Sequence, residues 1–538
     1  MFGIVPVPAA ERVVCLPGGN CRYILLEEIV YAYGDQLFEN CKVQSKTMIS
    51  VTRNADINVE GLVDEDDDFR HQMRKVLKKR SRLAPVRLEY FEQMDGKTEK
   101  FLKDKLHLKK EQIFRSEVPL EMSYVFSLQD MFPEQRMAEV MYEPFEPQPP
   151  KWLVSEERIM DRVLEQDLFL SYPYDRMSPF LQLIREAAND PKVVSIKITI
   201  YRLARKAVLV DYLRTAAENG KDVTVLMELR ARFDEANNIN WSESLEDAGC
   251  TVIYGMQDYK VHSKVCLITR MEKGKVCHIT QVGTGNYNEK TAKLYTDMAL
   301  ITADPSIGKD AAAYFKNMAT GNLEGHYDRL LVAPNCMKNK ILALIQGEIQ
   351  KARQGRPCGI LVKINSLTDR KTIDALQEAS QAGVQVELIV RGICCLLPGV
   401  EGYTENIRVT SVVGRFLEHS RVFCFGRGEE MQMYLSSADF MTRNLNRRVE
   451  VACPVQDREI KKQILDILNL MLRDNVKARN LRSDGKYEKK ETGNEVIDCQ
   501  QELIRQALLR AENPHLPAAP ANEAKKGIWG KLKGLFRH

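Results

Sequence analysis

Apolar and polar positions repeat in the same order along the middle of the chain. Residues 193–202, rich in Val and Ile, form a β-branched run that predicts a buried strand ending on Tyr201-Arg202. A helical pattern over 209–219 stops at Gly220, and 223–229 predicts the next strand, which runs into Arg230-Ala231-Arg232. The same order returns as a strand at 360–364, a helix over 369–382, Gly383, and a strand at 384–390 that ends on Arg391. Strand, helix and strand in this register predict parallel pairing in an α/β fold, with cations at the strand ends where such sheets bind ligands.

Each copy is followed by a histidine, one residue, a cation and an apolar strand, as His262-Ser263-Lys264-Val265 and His419-Ser420-Arg421-Val422. On an alternating strand the imidazole and the cation would share a face, roughly 6–7 Å apart. A turn, another strand and a cluster of small residues then follow, Gly283-Thr284-Gly285-Asn286 in the first copy and Ser436-Ser437-Ala438-Asp439 in the second. A duplicated core with one shared site is the expectation.

Outside the repeat, residues 1–142 mix strands at 22–26 and 47–52 with a helix opened by the acidic run 64–68. That helix continues through Arg70, Arg74, Lys75, Lys78, Lys79 and Arg80. Acids first and bases last suit the helix dipole, so a solvated face outweighs a nucleic-acid patch. Four prolines between 143 and 150 predict a stiff linker. Helical periodicity at 460–472 and 502–509 precedes a Pro/Ala break and a basic tail bearing Trp529, Leu532, Leu535 and Phe536.

Composition changes this picture little. With 538 residues and 44% hydrophobic content the chain can fill more than one core. Its 78 Lys+Arg against 74 Asp+Glu leave +4, so an anionic partner must be met by a local cluster, and no nucleic acid is implied. Thirteen cysteines without a CxxC pair favour reduced thiols in a cytoplasmic protein and disfavour a cysteine-ligated metal. No run nears the ~20 apolar residues of a membrane span, and the start lacks a signal-peptide pattern. A strand-like pattern begins within a few residues of Met1, which leads us to expect missing N-terminal sequence. For the tail, disorder outweighs peripheral membrane contact, because glycines weaken any helix there.

Paired histidines among phosphate-grade cations point to phosphoryl transfer through a phosphohistidine, since a neutral imidazole is a good nucleophile near neutrality. Arg202, Arg230, Arg232, Lys264 and Arg391 are candidates to neutralise the phosphoryl oxygens.

The strings SIKITIYR (195–202), ELRARFDE (228–235), DYKVHSK (258–264), VGTGNYN (282–288), LYTD (294–297), VRGICC (390–395) and FLEHSR (416–421), taken together, resemble bacterial polyphosphate kinase of the first type. The resemblance covers about residues 1–514. It implies an α/β protein with an N-terminally incomplete α+β head domain at 1–148. Two duplicated phospholipase-D-like domains with mixed sheets flanked by helices are implied at 149–330 and 331–514, with the basic tail at 515–538. The family's N-terminal helical domain, which carries its adenine-contacting asparagine, is expected to be absent.

The implied activity is reversible transfer of the terminal phosphate of ATP to inorganic polyphosphate, in a homo-oligomer that binds ATP, ADP and polyphosphate. By the same resemblance His262 becomes phosphorylated beside Lys264, and His419 lies near the nucleotide phosphates in an acid/base role. Tyr295 and Arg391 contact the nucleotide, and Arg202 and Arg232 belong to the Mg2+ site. A guanidinium has no free lone pair, so these two are taken as phosphate clamps beside a metal held by phosphate oxygens and water.

A phospholipase-D-type phosphodiesterase is the alternative. The acidic residue that its pattern needs after each cation is replaced by Thr269 and Gly426, and its second lysine by Arg421. A non-catalytic anion-binding remnant is the third reading, opposed by retention of both histidines and the clamp arginines.

Overall fold

The computed structural model describes residues 2–8, 12–18, 22–38, 41–54, 70, 73–74, 83–153, 157–204, 206–231, 234–256, 258–491, 493 and 495–512. The helix expected from residue 64 and the basic tail at 515–538 fall almost wholly outside these residues, and Arg232 lies outside them too. The chain divides into two compact units, Met1–Pro144 and Phe145–His538.

In the first unit, strand Ile49–Arg53 pairs antiparallel with Pro85–Phe91, which pairs parallel with Ile113–Ser116. The parallel connection runs through helix Gly96–Leu106, whose first N–H groups are taken by the Asp95 side chain. The strand expected at 22–26 covers Tyr23–Leu25, and Leu26 already begins helix Leu26–Tyr33. Glu27 and Glu28 in its first turn favour that switch, because carboxylates are stabilised beside the free N–H groups of a helix start.

The second unit contains the duplication. Its first half runs β1 (Leu168–Tyr172), α1 (Ser178–Asn189), β2 (Val193–Ile200), α2 (Val208–Glu218), β3 (Asp222–Met227), α3 (Glu235–Asp247), β4 (Thr251–Tyr254), β5 (Lys260–Val261), β6 (Val265–Glu272), β7 (Lys275–Gly283), β8 (Tyr295–Thr302) and α4 (Pro305–Ala319). Its second half runs β9 (Leu331–Ala333), α5 (Met337–Arg353), β10 (Ile360–Ile364), α6 (Arg370–Gln381), β11 (Val386–Val390), β12 (Ile407–Val412), β13 (Leu417–Glu418), β14 (Val422–Phe425), β15 (Gln432–Ser436), α7 (Thr442–Arg447), β16 (Arg448–Val455) and α8 (Arg458–Arg473). Strands β17 (Ala478–Leu481) and β18 (Tyr487–Lys489) and helix α9 (Cys499–Glu512) follow.

The sheets are mixed. β2, β3 and β4 are mutually parallel, as are β10, β11 and β12, while β6 and β14, which follow the two histidines, join their neighbours antiparallel. The parallel sheet expected from the strand-helix-strand pattern is therefore one part of each half, since β6–β7 is a hairpin whose turn uses left-handed Lys273 and Gly274.

Alternation sorts the strand residues onto two faces. Val265, Leu267, Val282, Met298 and Leu300 share one buried core with Val422, Cys424, Leu435, Val449 and Val451 of the second half. On the second half's other face, Ile360, Val362, Phe423 and Phe425 pack with Ile341 and Ile345 of α5. The two halves thus meet through their sheets, with α5 on the far face of the second.

Two short strands cross between the halves. β5 of the first half pairs parallel with β16 of the second, and β13 of the second pairs parallel with β8 of the first. Helix α9 braces the second crossing: Gln500 accepts from the Phe416 amide at 2.9 Å and donates to the Phe416 carbonyl at 2.9 Å and to Glu418 at 2.7 Å. Gln500→Ala would leave three buried polar groups short of partners, at about 1–3 kcal/mol each. A clear fall in stability is expected in urea titrations, together with slowed turnover, because Glu418 directly precedes His419.

Candidate active site

Each histidine sits where its chain changes sheets. His262, Ser263 and Lys264 form an irregular break between β5 and β6, and His419, Ser420 and Arg421 form the matching break between β13 and β14. This corrects the expectation of a histidine and cation alternating on one strand. Lys264 instead turns its ammonium back to the carbonyl of His262, while backbone bonds from His262 and Ser263 to the Val449 carbonyl fasten the break to the other half.

The crossing gives each imidazole a carboxylate from the opposite half. Nδ1 of His262 lies 2.9 and 3.1 Å from the oxygens of Glu450, and Nδ1 of His419 lies 2.9 Å from both oxygens of Asp297. The carboxylates are held alike: Thr284 Oγ1 donates to Asp297 and Ser437 Oγ to Glu450, each at 2.5 Å, and Asn444 adds a bond to Glu450 at 2.6 Å. Acceptance by a carboxylate fixes the proton on Nδ1 and leaves the lone pair on Nε2.

The environments of the two Nε2 atoms differ. Among the described residues no hydrogen bond reaches Nε2 of His262. Nη1 of Arg421 lies over the ring of His419, 3.1 Å from Nε2 and 3.4 Å from Nδ1, and the rest of that guanidinium is gripped by Asp439 at 3.2 and 3.1 Å. Tyr201 meets His262 edge-on at 4.9 Å, with the Lys264 ammonium 5.2 Å and the Arg202 guanidinium 5.7 Å from its ring.

Burial, reinforced by Lys264, Arg448 and Arg421, holds His262 well below its ordinary imidazole pKa. His419 is also lowered by burial and Arg421, against the pull of Asp297. Burial brings Lys264 down to about 7 and raises the Glu450 carboxyl. The resting His262–Glu450 pair is therefore a neutral imidazole beside an acceptor ready to stabilise positive charge. If neutral His262 is the reacting form, the acidic limb of phosphoenzyme formation should lie well below 6.5 in quenched-flow measurements. A limb at ordinary imidazole values would contradict this.

Other expected residues fall in distinct places. Tyr295 lies 5.4 Å from the His419 ring, and Arg391 Nε donates to Asn365 at 2.8 Å and to the Glu418 carbonyl, so both join the second histidine. Arg202 is half-exposed and paired with Asp234 at 2.7 Å. Arg230 does not serve as an open clamp. It bonds Glu228 and the carbonyls of Met256 and Tyr259, while Glu228 accepts the Val261 amide at 2.7 Å, so the pair staples β5 in place.

Glu450, Asp297, Tyr201 and the buried Lys363–Glu418 pair were not singled out from the sequence. Superposing the two copies could have found the carboxylates, because Tyr295-Thr296-Asp297 aligns with Arg448-Val449-Glu450.

Gly285 shows how tightly the carboxylate is set. A Cβ there would stand 2.1 Å from Asp297 Oδ2 and 2.2 Å from its Cγ. Gly285→Ala should push Asp297 off His419 and slow turnover about 100-fold, as misplacements of this size do. Steady-state assays beside a pulse-labelling assay check this, with phosphoenzyme formation the less affected.

The sequence is 43% identical over 513 residues to the polyphosphate kinase of Bacillus cereus, covering 94% of this chain and 72% of that protein. The chain belongs to the polyphosphate kinase family. The polyphosphate kinase of Staphylococcus epidermidis is 38% identical over 547 residues, covering 99% of this chain and 73% of that one. Family models for the polyphosphate kinase middle domain, C-terminal domain 1 and C-terminal domain 2 match residues 1–128, 158–324 and 330–500. The crystal structure of polyphosphate kinase from Porphyromonas gingivalis superposes with a TM-score of 0.77 at 33% identity, covering 93% of this chain and 74% of that one. The histidine breaks at 262–264 and 419–421 fall within the two polyphosphate kinase C-terminal domains.

Proposed function

We propose that this polyphosphate kinase moves the terminal phosphoryl group of ATP to inorganic polyphosphate, reversibly, by way of a phosphate carried on Nε2 of His262. The observation that carries this reading is a buried, neutral His262 whose Nδ1 proton is held by Glu450 and whose Nε2 takes no hydrogen bond from the described residues. Nε2 attacks the γ-phosphorus, and the bond to the bridging oxygen breaks with its electrons leaving on ADP. The terminal oxygen of polyphosphate then attacks the phosphorus and restores the imidazole. Lys264, Arg421 and Arg448 supply positive charge around the transferred group, where a low dielectric makes it count most.

His419, Tyr295 and Arg391 form the nucleotide-phosphate side of the site, with His419 as acid or base. Among the described residues no group of three or more His, Cys, Asp or Glu side chains could hold a metal, and arginine offers no lone pair. Mg2+ would therefore be held by phosphate oxygens and water, neutralising charge there, with Arg202 and Arg232 as phosphate clamps. We assign the head domain to 1–148, the catalytic domains to 149–330 and 331–514, and a homo-oligomeric assembly. Among the described residues no helix is long and apolar enough to cross a membrane. Incubation with [γ-32P]ATP tests the reading: an acid-labile, alkali-stable label that chases onto polyphosphate and back to ADP supports it, and transfer without any protein-bound label overturns it.

A further inference from the structure

The strand ends that face the two histidines carry different residues at equivalent positions. Thr199 donates its hydroxyl to the Ser263 carbonyl at 2.8 Å, and Lys363 donates its ammonium to the Ser420 carbonyl at 3.1 Å, so Thr199 and Lys363 correspond. Two residues on, Tyr201 and Asn365 therefore occupy the same place. Ile200 pairs with Met227 and Ile364 with Val390, so Glu228 and Arg391, which follow β3 and β11, correspond as well. In the first half Glu228 accepts the Val261 amide and pairs with Arg230. In the second half Arg391 donates Nε to the Glu418 carbonyl, so an arginine holds the crossing strand where the first half uses an acid.

The exchange leaves a cation that needs support, because burial and the neighbouring Arg421 both oppose the charge on Arg391. Asn365 supplies that support. It is buried, and each of its four polar groups is engaged. Oδ1 accepts Arg391 Nε at 2.8 Å, Nδ2 donates to the His419 carbonyl at 3.2 Å, the N–H donates to Asp439 at 2.7 Å, and the carbonyl accepts the Gly392 amide at 2.9 Å. A Cβ on Gly392 would stand 2.8 Å from that carbonyl oxygen, so the residue after Arg391 lies directly on Asn365. Both anchors of Arg391 share Nε. Nη1 and Nη2 donate no hydrogen bond among the described residues, which leaves a planar fork for a phosphate.

We propose that Asn365 is a positioning residue that sets Arg391 for the nucleotide: it holds Nε beside the backbone of the second histidine and so leaves Nη1 and Nη2 to take the phosphates of ATP or ADP. This rests on the reading of Arg391 as a nucleotide contact given above. A phosphate bound there relieves the repulsion between Arg391 and Arg421, so the ligand and the Asn365 bond favour the same guanidinium placement. Tyr201, at the corresponding place in the first half, has no side-chain carbonyl to offer, and the Glu228 beside it has no need of one.

The experiment measures KM and kcat for ATP in polyphosphate synthesis, and for ADP in the reverse direction, in five proteins. These are the unsubstituted chain, Asn365→Ala, Asn365→Leu, Arg391→Ala, and Asn365→Ala combined with Arg391→Ala. Asn365→Leu keeps the side-chain volume and removes both polar groups, so it serves where Asn365→Ala folds poorly. The expected result is a rise in KM of at least about tenfold for both nucleotides in either Asn365 variant, with kcat less affected, as the loss of a hydrogen bond to a charged group implies. In the Arg391→Ala background Asn365→Ala should add less than about threefold, because a residue that acts through Arg391 then has nothing left to position. A merely structural role would raise KM by the same factor in both backgrounds, and that result would overturn the proposal. Unchanged KM in both Asn365 variants, beside a raised KM in Arg391→Ala, would overturn it too. Unchanged KM in Arg391→Ala would instead remove the nucleotide reading of Arg391, and the proposal with it.

Discussion

His262→Ala should leave no acid-labile, alkali-stable phosphate on the protein and no net polyphosphate synthesis in either direction. The expectation follows from position rather than from the presence of a histidine, since His419 is nearly as buried and is likewise paired with a carboxylate. Nε2 of His262 has no hydrogen bond from the described residues, whereas the Arg421 guanidinium stands over the ring of His419, 3.1 Å from Nε2 and 3.4 Å from Nδ1. His419→Ala should accordingly impair turnover while part of the phosphoenzyme still forms. Labelling and polymer assays on the two variants side by side check this, and normal phosphoenzyme stoichiometry in His262→Ala would mean that the carrier lies elsewhere.

Glu450→Gln should be nearly as damaging although it removes no reacting atom. Ser437 Oγ, Asn444 Nδ2 and Nδ1–H of His262 all direct hydrogens at this carboxylate. An amide in its place presents its own hydrogens to one of these donors and drives the imidazole toward the tautomer with its proton on Nε2, where no lone pair remains for attack. It also removes the negative charge that would stabilise the imidazolium-like transition state. Comparable losses in hydrolytic triads cost about 10⁴ in kcat, so a fall of about 10³- to 10⁴-fold in the rate of phosphoenzyme formation is expected. ATP affinity and urea stability should change far less. Rapid-quench labelling at saturating ATP measures the effect, and a loss confined to KM would point to a binding role for Glu450.

Much of this architecture was legible because it is written locally and written twice. Alternation placed the strands that carry the histidines, Gly220 and Gly383 marked the helix ends, and repetition made His262 and His419 stand out from ordinary packing histidines. The motifs also carried the family resemblance. What escaped depends on chain crossing.

Glu450 meets His262 across a separation of 188 residues, because β5 leaves its own sheet to pair with β16. No local pattern announces such an exchange. Asp297 stands inside the string LYTD, yet a lone aspartate on an apolar strand gives no sign of its partner. Arg230 illustrates the converse. A cation at a strand end suggested a phosphate clamp, but the buried Glu228 beside it claims the guanidinium. The bend between β5 and β6 was hidden as well, because Lys260 to Ile268 read as one alternating strand, and the parallel pairing of Val261 with Val449 breaks it.

Whether Nε2 of His262 carries the phosphoryl group between ATP and polyphosphate is decided by site-resolved 31P NMR of the phosphoenzyme. The protein would be loaded with ATP, trapped at alkaline pH, and examined before and after a chase with polyphosphate. A single phosphohistidine resonance of the Nε2 isomer is expected, absent from His262→Ala and discharged by the chase. A resonance of the Nδ1 isomer, or an Nε2 signal that persists unchanged in His262→Ala, would contradict it.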